Sequence, residues 1–171
     1  MTGTAPMNAQ QKGEVMNVVT LKLGGEMMAI PADCLREILE PVAVTRVPQA
    51  GEFVSGLINV RGVVVPLADL RVPFGMALDP ATADTRMLVL DVETAGPKAV
   101  VAILADKVHE VTEIDVADLA AIPAVGTRWP PEFVSGIGKW QGGFVILPDL
   151  GRIFSQGLAH CAAGALVEEG I

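Results

Sequence analysis

The sequence contains no tyrosine, and only two tryptophans and five phenylalanines among 171 residues. A core with so few aromatics must be filled by Val, Ile and Leu, a mix that favours short β-strands over long helices. Cysteine is equally scarce. Cys34 and Cys161 are too few and too far apart for a disulfide framework, and they read as two reduced thiols of a cytoplasmic protein. Basic residues are few and scattered: twelve Lys and Arg, none clustered, in a chain of net charge −8. Phosphate backbones and anionic lipids are gripped by clustered cations, which argues against nucleic acid or a membrane surface as partner. A protein or a small neutral ligand fits better. No stretch approaches the roughly 20 apolar residues needed to cross a bilayer; the most apolar run, Ala99 to Ala105, is strand-sized and lies between Lys98 and Asp106. The opening segment lacks a basic start followed by an apolar block, so it does not read as a secretory signal.

What is present is glycine and proline, 18 and 12 of them, with apolar residues alternating at a period of two. Residues 1–14 are polar and aperiodic and read as a flexible leader. "VMNVVTLKLGGEMMAI" reads as two strands joined at Gly24-Gly25. "PADCLREILE" carries Leu35, Ile38 and Leu39 at helical spacing behind Pro31 and Asp33, which predicts a short helix. "VAVTRV" predicts a strand, and "FVSGLINVRGVVVPLADL" two strands broken at Arg61-Gly62. The Gly-, Pro- and Asp-rich stretch 75–85 is the best linker candidate. Beyond it, "RMLVLDV", "KAVVAIL", "KVHEVTEI", "FVSGIGKW" and "GFVILPDL" supply five further strands, and 156–171 is an Ala- and Gly-rich tail. The expectation is an all-β domain over 15–155.

The word "EFVSG" occurs at Glu52–Gly56 and again at Glu132–Gly136. Aligned without gaps, residues 52–75 and 132–155 agree at eleven of twenty-four positions, where this composition would supply about two by chance. Skipping two residues extends the match upstream, from "TRVP" at Thr45–Pro48 to "TRWP" at Thr127–Pro130. Self-similarity of this strength marks two copies of one structural unit. In each copy the Phe is placed to plug a barrel end, and the Gly permits close backbone approach. Asp69 and Asp149 are placed to cap a helical turn carrying Leu-x-x-x-Phe on one face. Neither copy carries a recognisable catalytic group.

"TRVPQAGEFVSGLINVRGVVVPLADLR" is similar to the central signature of the CheW family, the adaptor proteins of bacterial chemotaxis. "LREI" at Leu35–Ile38, "ILADKVHEV" at Ile103–Val111 and the closing "GIGKWQGGFVILPDLGRIF" extend the resemblance from about Val15 to Phe154. It implies two five-stranded SH3-like barrels packed side by side, the first about 15–76 and the second about 85–155. It further implies a scaffold without cofactor, metal or catalytic residues. Such a scaffold links the cytoplasmic tip of methyl-accepting chemoreceptors to the regulatory domain of the histidine kinase CheA, in the cytoplasm and without inserting in the membrane. The residues it points to for partner binding are Leu35, Glu37, Gly56, Asn59, Arg61, Gly62 and Val108. Arg61 is expected to be partly buried and paired with Glu37, and Gly56 to line a receptor groove where a side chain would block docking. Departures such as Val60 in "NVRG" and Met28 before "A-I-P" change no charge.

An adaptor of a non-flagellar chemosensory pathway and a small-ligand-binding β-barrel are the alternatives. Read from residues alone, Arg61 is a solvated turn residue, Gly56 a plain backbone glycine, and Leu35 and Val108 core. His109 reads as facing outward on a strand, and adjacent His160 and Cys161 lack further donors for a metal. No phosphate loop and no Ser-His-Asp order is present.

Overall fold

The computed structural model describes residues 14–48, 51–94, 98–116, 119–120 and 129–156. Among these residues ten strands form: β1 (Val15–Leu23), β2 (Glu26–Pro31), β3 (Leu35–Leu39), β4 (Val54–Val60), β5 (Val63–Ala68), β6 (Arg86–Val92), β7 (Ala99–Ala105), β8 (Lys107–Asp115), β9 (Val134–Trp140) and β10 (Gly143–Pro148). Helical segments among the described residues include 3-10 turns at Ala32–Cys34 and Pro131–Phe133 and a short helix, α1, over 150–156. The fold is all-β, as expected. "PADCLREILE" is a correction: only Ala32–Cys34 turns, and Leu35–Leu39 pairs with β6 as a strand. Its apolar residues satisfy both a helical and an alternating pattern, and long-range pairing with Met87–Leu90 decides between them. "VAVTRV" forms no strand; Thr45 alone bridges to Leu57.

Two five-stranded sheets form, in the orders β8-β1-β2-β10-β9 and β3-β6-β7-β5-β4. Adding or subtracting five from every strand number turns the first order into the second. The chain is therefore a tandem duplication, β1–β5 and β6–β10, in which each barrel takes two strands from one half and three from the other. This corrects the assignment of one barrel to 15–76 and the other to 85–155. The halves are the repeat, but the barrels are interwoven. The stretch 75–85 consequently joins β5 to β6 within one sheet and separates no domains.

The two copies match in backbone detail. The Asp69 N–H donates to the Phe53 carbonyl at 2.8 Å, and the Asp149 N–H to that of Phe133 at 2.8 Å. The Thr45–Leu57 bridge is repeated by Ala120 and Ile137, so the bridging counterpart of Thr45 is Ala120. Thr127, the counterpart expected from the sequence, lies outside the described residues. Asp149 caps α1 as expected, its Oδ1 accepting from the Arg152 N–H at 3.1 Å. Asp69 accepts from the Arg71 N–H at 3.0 Å, but the turn after it does not continue as helix.

Interweaving puts the largest core between the barrels. Leu21, Met28 and Ile30 of one sheet meet Leu88, Leu90 and Ile103 of the other, together with Leu70, Phe74, Leu150 and Phe154 from the capped turns. Phe53 and Phe133 pack on this shared core, and the Phe53 ring lies 5.5 Å from that of Phe154. They seal the seam between barrels instead of plugging a barrel end. Each barrel keeps a smaller core of its own, around Ile58, Val65 and Val89 in one and Val18, Val145 and Leu147 in the other.

Candidate partner-binding surface

β3 is an edge strand, and its alternation turns Leu35, Glu37 and Leu39 partly inward while Arg36 and Ile38 face solvent. The β4–β5 hairpin closes the same barrel from the opposite edge. Its two-residue turn has positive φ at both positions, 52° at Arg61 and 86° at Gly62, the type I′ geometry whose twist matches the flanking strands. Glycine accepts that conformation freely and arginine does so at some cost, so Asn59 helps: its Oδ1 accepts from the Gly62 N–H at 2.7 Å. The turn holds Arg61 over β3, with Nη2 3.4 Å from Glu37 Oε1. The expected pair is therefore formed. Its expected burial is not, because the Arg61 side chain is 83% exposed and that of Glu37 26%. A turn residue at a hairpin tip projects into water whatever it pairs with.

Gly56 is buried, and the reason lies in the segment that runs beside β4. A Cβ built on Gly56 would meet the Thr45 carbonyl oxygen and would lie 2.7 Å from Val44 Cγ1. The glycine thus lets Thr45 hydrogen-bond Leu57 in both directions, at 2.7 and 2.8 Å. Close packing alone accounts for this glycine, so loss of binding in a Gly56→Asp variant would not by itself report on a groove. Around it Ile38, Val42 and Val44 are exposed apolar residues, as are Val63 and Val64 at the start of β5.

Leu35 and Val108 are half-buried and both pack on the shared core. The duplication makes them counterparts: "ADCLREI" at Ala32–Ile38 corresponds to "ADKVHEV" at Ala105–Val111. Each sits on the edge strand of its own sheet, Leu35 opposite Leu90 and Val108 opposite Leu21. This weak internal match extends the repeat to the two edge strands, and aligning the copies without gaps conceals it. Glu110 is then the counterpart of Glu37, and the second hairpin tip reaches it: Gln141 Nε2 donates to Glu110 Oε1 at 3.4 Å. Beside them the His109 and Trp140 rings meet edge to face at 5.9 Å. His109 is exposed, as expected, and Phe144, the counterpart of Val64, is 70% exposed. Both hairpin tips therefore present an apolar residue beside a polar clasp, a cation in one copy and an amide in the other.

The chemistry available is that of surfaces. Burial first, then the nearby Asp33 and Asp91 carboxylates, push the Cys34 thiol from 9.0 up to about 11, which keeps it protonated and poorly nucleophilic at neutral pH. Among the described residues no group of three or more His, Cys, Asp or Glu could hold a metal ion. No helix among them is long and apolar enough to cross a membrane. His160 and Cys161 lie outside the described residues.

Comparison with known proteins covers almost the whole described chain. The family model described as "CheW-like domain" matches residues 17–157. The chain is 32% identical over 122 residues to the chemotaxis protein CheW of Helicobacter pylori, spanning 70% of each protein. It is 29% identical over 134 residues to that of Klebsiella aerogenes, spanning 78% of each. Among solved structures, the scaffolding protein TtCheW from Thermoanaerobacter tengcongensis superposes with a TM-score of 0.73 at 29% identity, covering 82% of this chain and 88% of the other.

Proposed function

The chain belongs to the CheW-like domain family, and from that premise we propose that it is a chemotaxis adaptor coupling the cytoplasmic tip of methyl-accepting receptors to the regulatory domain of the kinase CheA. The observation that carries the reading is the family match across residues 17–157, spanning both halves of the duplication. A match to one half would complete neither barrel, because each takes strands from both halves. The named relatives are chemotaxis proteins, and the solved neighbour is a scaffolding protein. The adaptor works in the cytoplasm at membrane receptor arrays, and it acts by holding partners together instead of by catalysis.

In this reading Leu35, Glu37, Gly56, Asn59, Arg61, Gly62 and Val108 shape the partner-binding surfaces. Arg61 and Glu37 clasp the hairpin tip to the edge strand, Asn59 and Gly62 set the turn that aims Arg61, and Gly56 fixes how closely the Val44–Thr45 segment approaches. The exposed apolar residues Ile38, Val42 and Val44 beside them supply area for an apolar helix face. Co-sedimentation tests the proposal: receptor-bearing membranes, CheA and the purified chain are mixed and pelleted. The adaptor brings kinase into the pellet in proportion to its own concentration. Kinase that pellets equally with and without the chain, while the chain stays in the supernatant, overturns the reading.

A further inference from the structure

The duplication makes each groove between the barrels a comparison for the other. In one groove Arg71 lies buried on Asp69, its Nε donating to Oδ1 at 2.9 Å and its Nη2 to Oδ2 at 2.8 Å, while Nη1 donates to the Asp79 carbonyl at 2.8 Å. Asp106 adds its charge from across the groove, and Met76 packs over Gly24 to close it. The counterparts of Asp69 and Asp106 are Asp149 and Asp33, but Gly151 stands where Arg71 stands in the first copy. There the groove is open, a cleft of about 470 Å³ lined by Asp33, Glu93, Ser135, Asp149, Leu150 and Gly151.

We infer that this cleft receives an arginine side chain from a protein partner, its guanidinium seated on Asp149 as that of Arg71 is seated on Asp69, with Asp33 lining the same cleft. The planar fork of guanidinium matches a carboxylate with two parallel hydrogen bonds, a fit that the ammonium of lysine does not reproduce. Leu150 supplies an apolar wall for the methylene stem. The charge balance favours a cation. Arg36 covers Asp91 at 3.3 Å and the mostly exposed Arg152 stands 3.7 Å from Asp149, whereas Asp33 and Glu93 make no ion pair among the described residues. Lys98 also borders the cleft, so its excess negative charge is modest and one guanidinium neutralises it. The chain's own Arg152 is mostly exposed and reaches Asp149 only at 3.7 Å, which leaves the cleft open to a guanidinium supplied by a partner. The inference stands apart from the adaptor reading, since the cleft can be tested with no receptor or kinase present.

The test is a titration of the full chain, labelled for amide NMR, with an end-blocked Gly-Arg-Gly peptide and with its isosteric neutral citrulline analogue. The arginine peptide shifts the amides of Glu93, Ser135 and Gly151 saturably, and the citrulline peptide leaves them in place. The double variant Asp33→Asn, Glu93→Gln keeps its thermal midpoint and binds the arginine peptide about tenfold more weakly, the loss expected on removing charge-assisted contacts. No shift at millimolar arginine peptide, equal shifts with citrulline, or unchanged affinity in a folded double variant each overturn the inference.

Discussion

The sharpest consequence of the duplicated architecture is that one substitution, made at equivalent positions, has opposite fates. Gly56 and Gly136 are the glycines of the two "EFVSG" words, in extended backbone that alanine can adopt. At Gly56 a methyl group would collide with the Thr45 carbonyl and stand 2.7 Å from Val44 Cγ1. One obstacle is backbone held by two hydrogen bonds to Leu57, so relief requires moving the 40–48 segment as a unit. Overpacking of this kind costs about 1–3 kcal/mol. At Gly136 the same methyl group would lie 3.5 Å from the Ala120 carbonyl oxygen and 3.8 Å from Leu119 Cβ, which is ordinary contact. Loss of glycine's freedom in the unfolded chain should leave Gly136→Ala neutral or more stable by about 0.5 kcal/mol. In a domain of this size the difference separates the thermal midpoints of the two variants by about 3–10 °C. Urea titration read by circular dichroism should agree, with unchanged slope and a shifted midpoint. Equal losses in both variants, or no loss at Gly56, would show that the tight approach of Thr45 does not explain the glycine. The pair also calibrates binding assays. A partner-binding defect of Gly56→Ala counts as evidence for a groove only beyond its unfolded fraction.

Three further outcomes follow from the same geometry. Arg61→Ala removes an ion pair whose cation is almost fully in water, so it should lower stability by no more than about 1 kcal/mol, while cutting CheA recruitment to receptor membranes if the proposed function holds; a larger loss in urea would place that arginine in the core. Arg71→Met should be far more damaging, about 3–5 kcal/mol by the same titration, because it strands the buried Asp69 carboxylate, and adding Asp69→Asn should recover part of the loss; an additive double variant would refute the coupling. The raised Cys34 thiol stabilises the fold fully below pH 9, where folded and unfolded thiols are both protonated, and that contribution is lost as pH rises from about 9 towards 11. In a Cys161→Ala background, Cys34→Ser should flatten this alkaline decline, and Cys34 should resist alkylation at neutral pH; rapid labelling of the folded protein would contradict the assignment.

Local chemistry was legible wherever neighbours in sequence decide the outcome. The Gly24-Gly25 and Arg61-Gly62 turns, the strands of "RMLVLDV" and "FVSGIGKW", and the Asp149 cap all form as the residue types require. Legibility ended where a segment satisfied two patterns, as in Leu35–Leu39, or where burial depended on a distant partner. Arg61 shows both sides: the residues alone read as a solvated turn arginine, which its exposure matches. The resemblance implied the pairing with Glu37, which forms, together with a burial that projection from a hairpin tip prevents. Arg71 gave no sequence signal at all. It lies in a turn beside an apparent linker, and only the folded chain shows it buried, holding the Asp79 carbonyl and so fastening that stretch to the barrel.

The order of residues by itself determined an all-β chain, two copies of one unit and the turns within each, because period-two burial, glycine conformation and capping act over a few residues. Only the tertiary structure decided that the copies exchange strands, since β2 pairing with β10 and β5 with β7 joins segments far apart in the chain through hydrogen bonds that carry no side-chain identity. The same long-range assembly decided that one groove between the barrels closes over Arg71 while its mate, with Gly151 in that place, stays open.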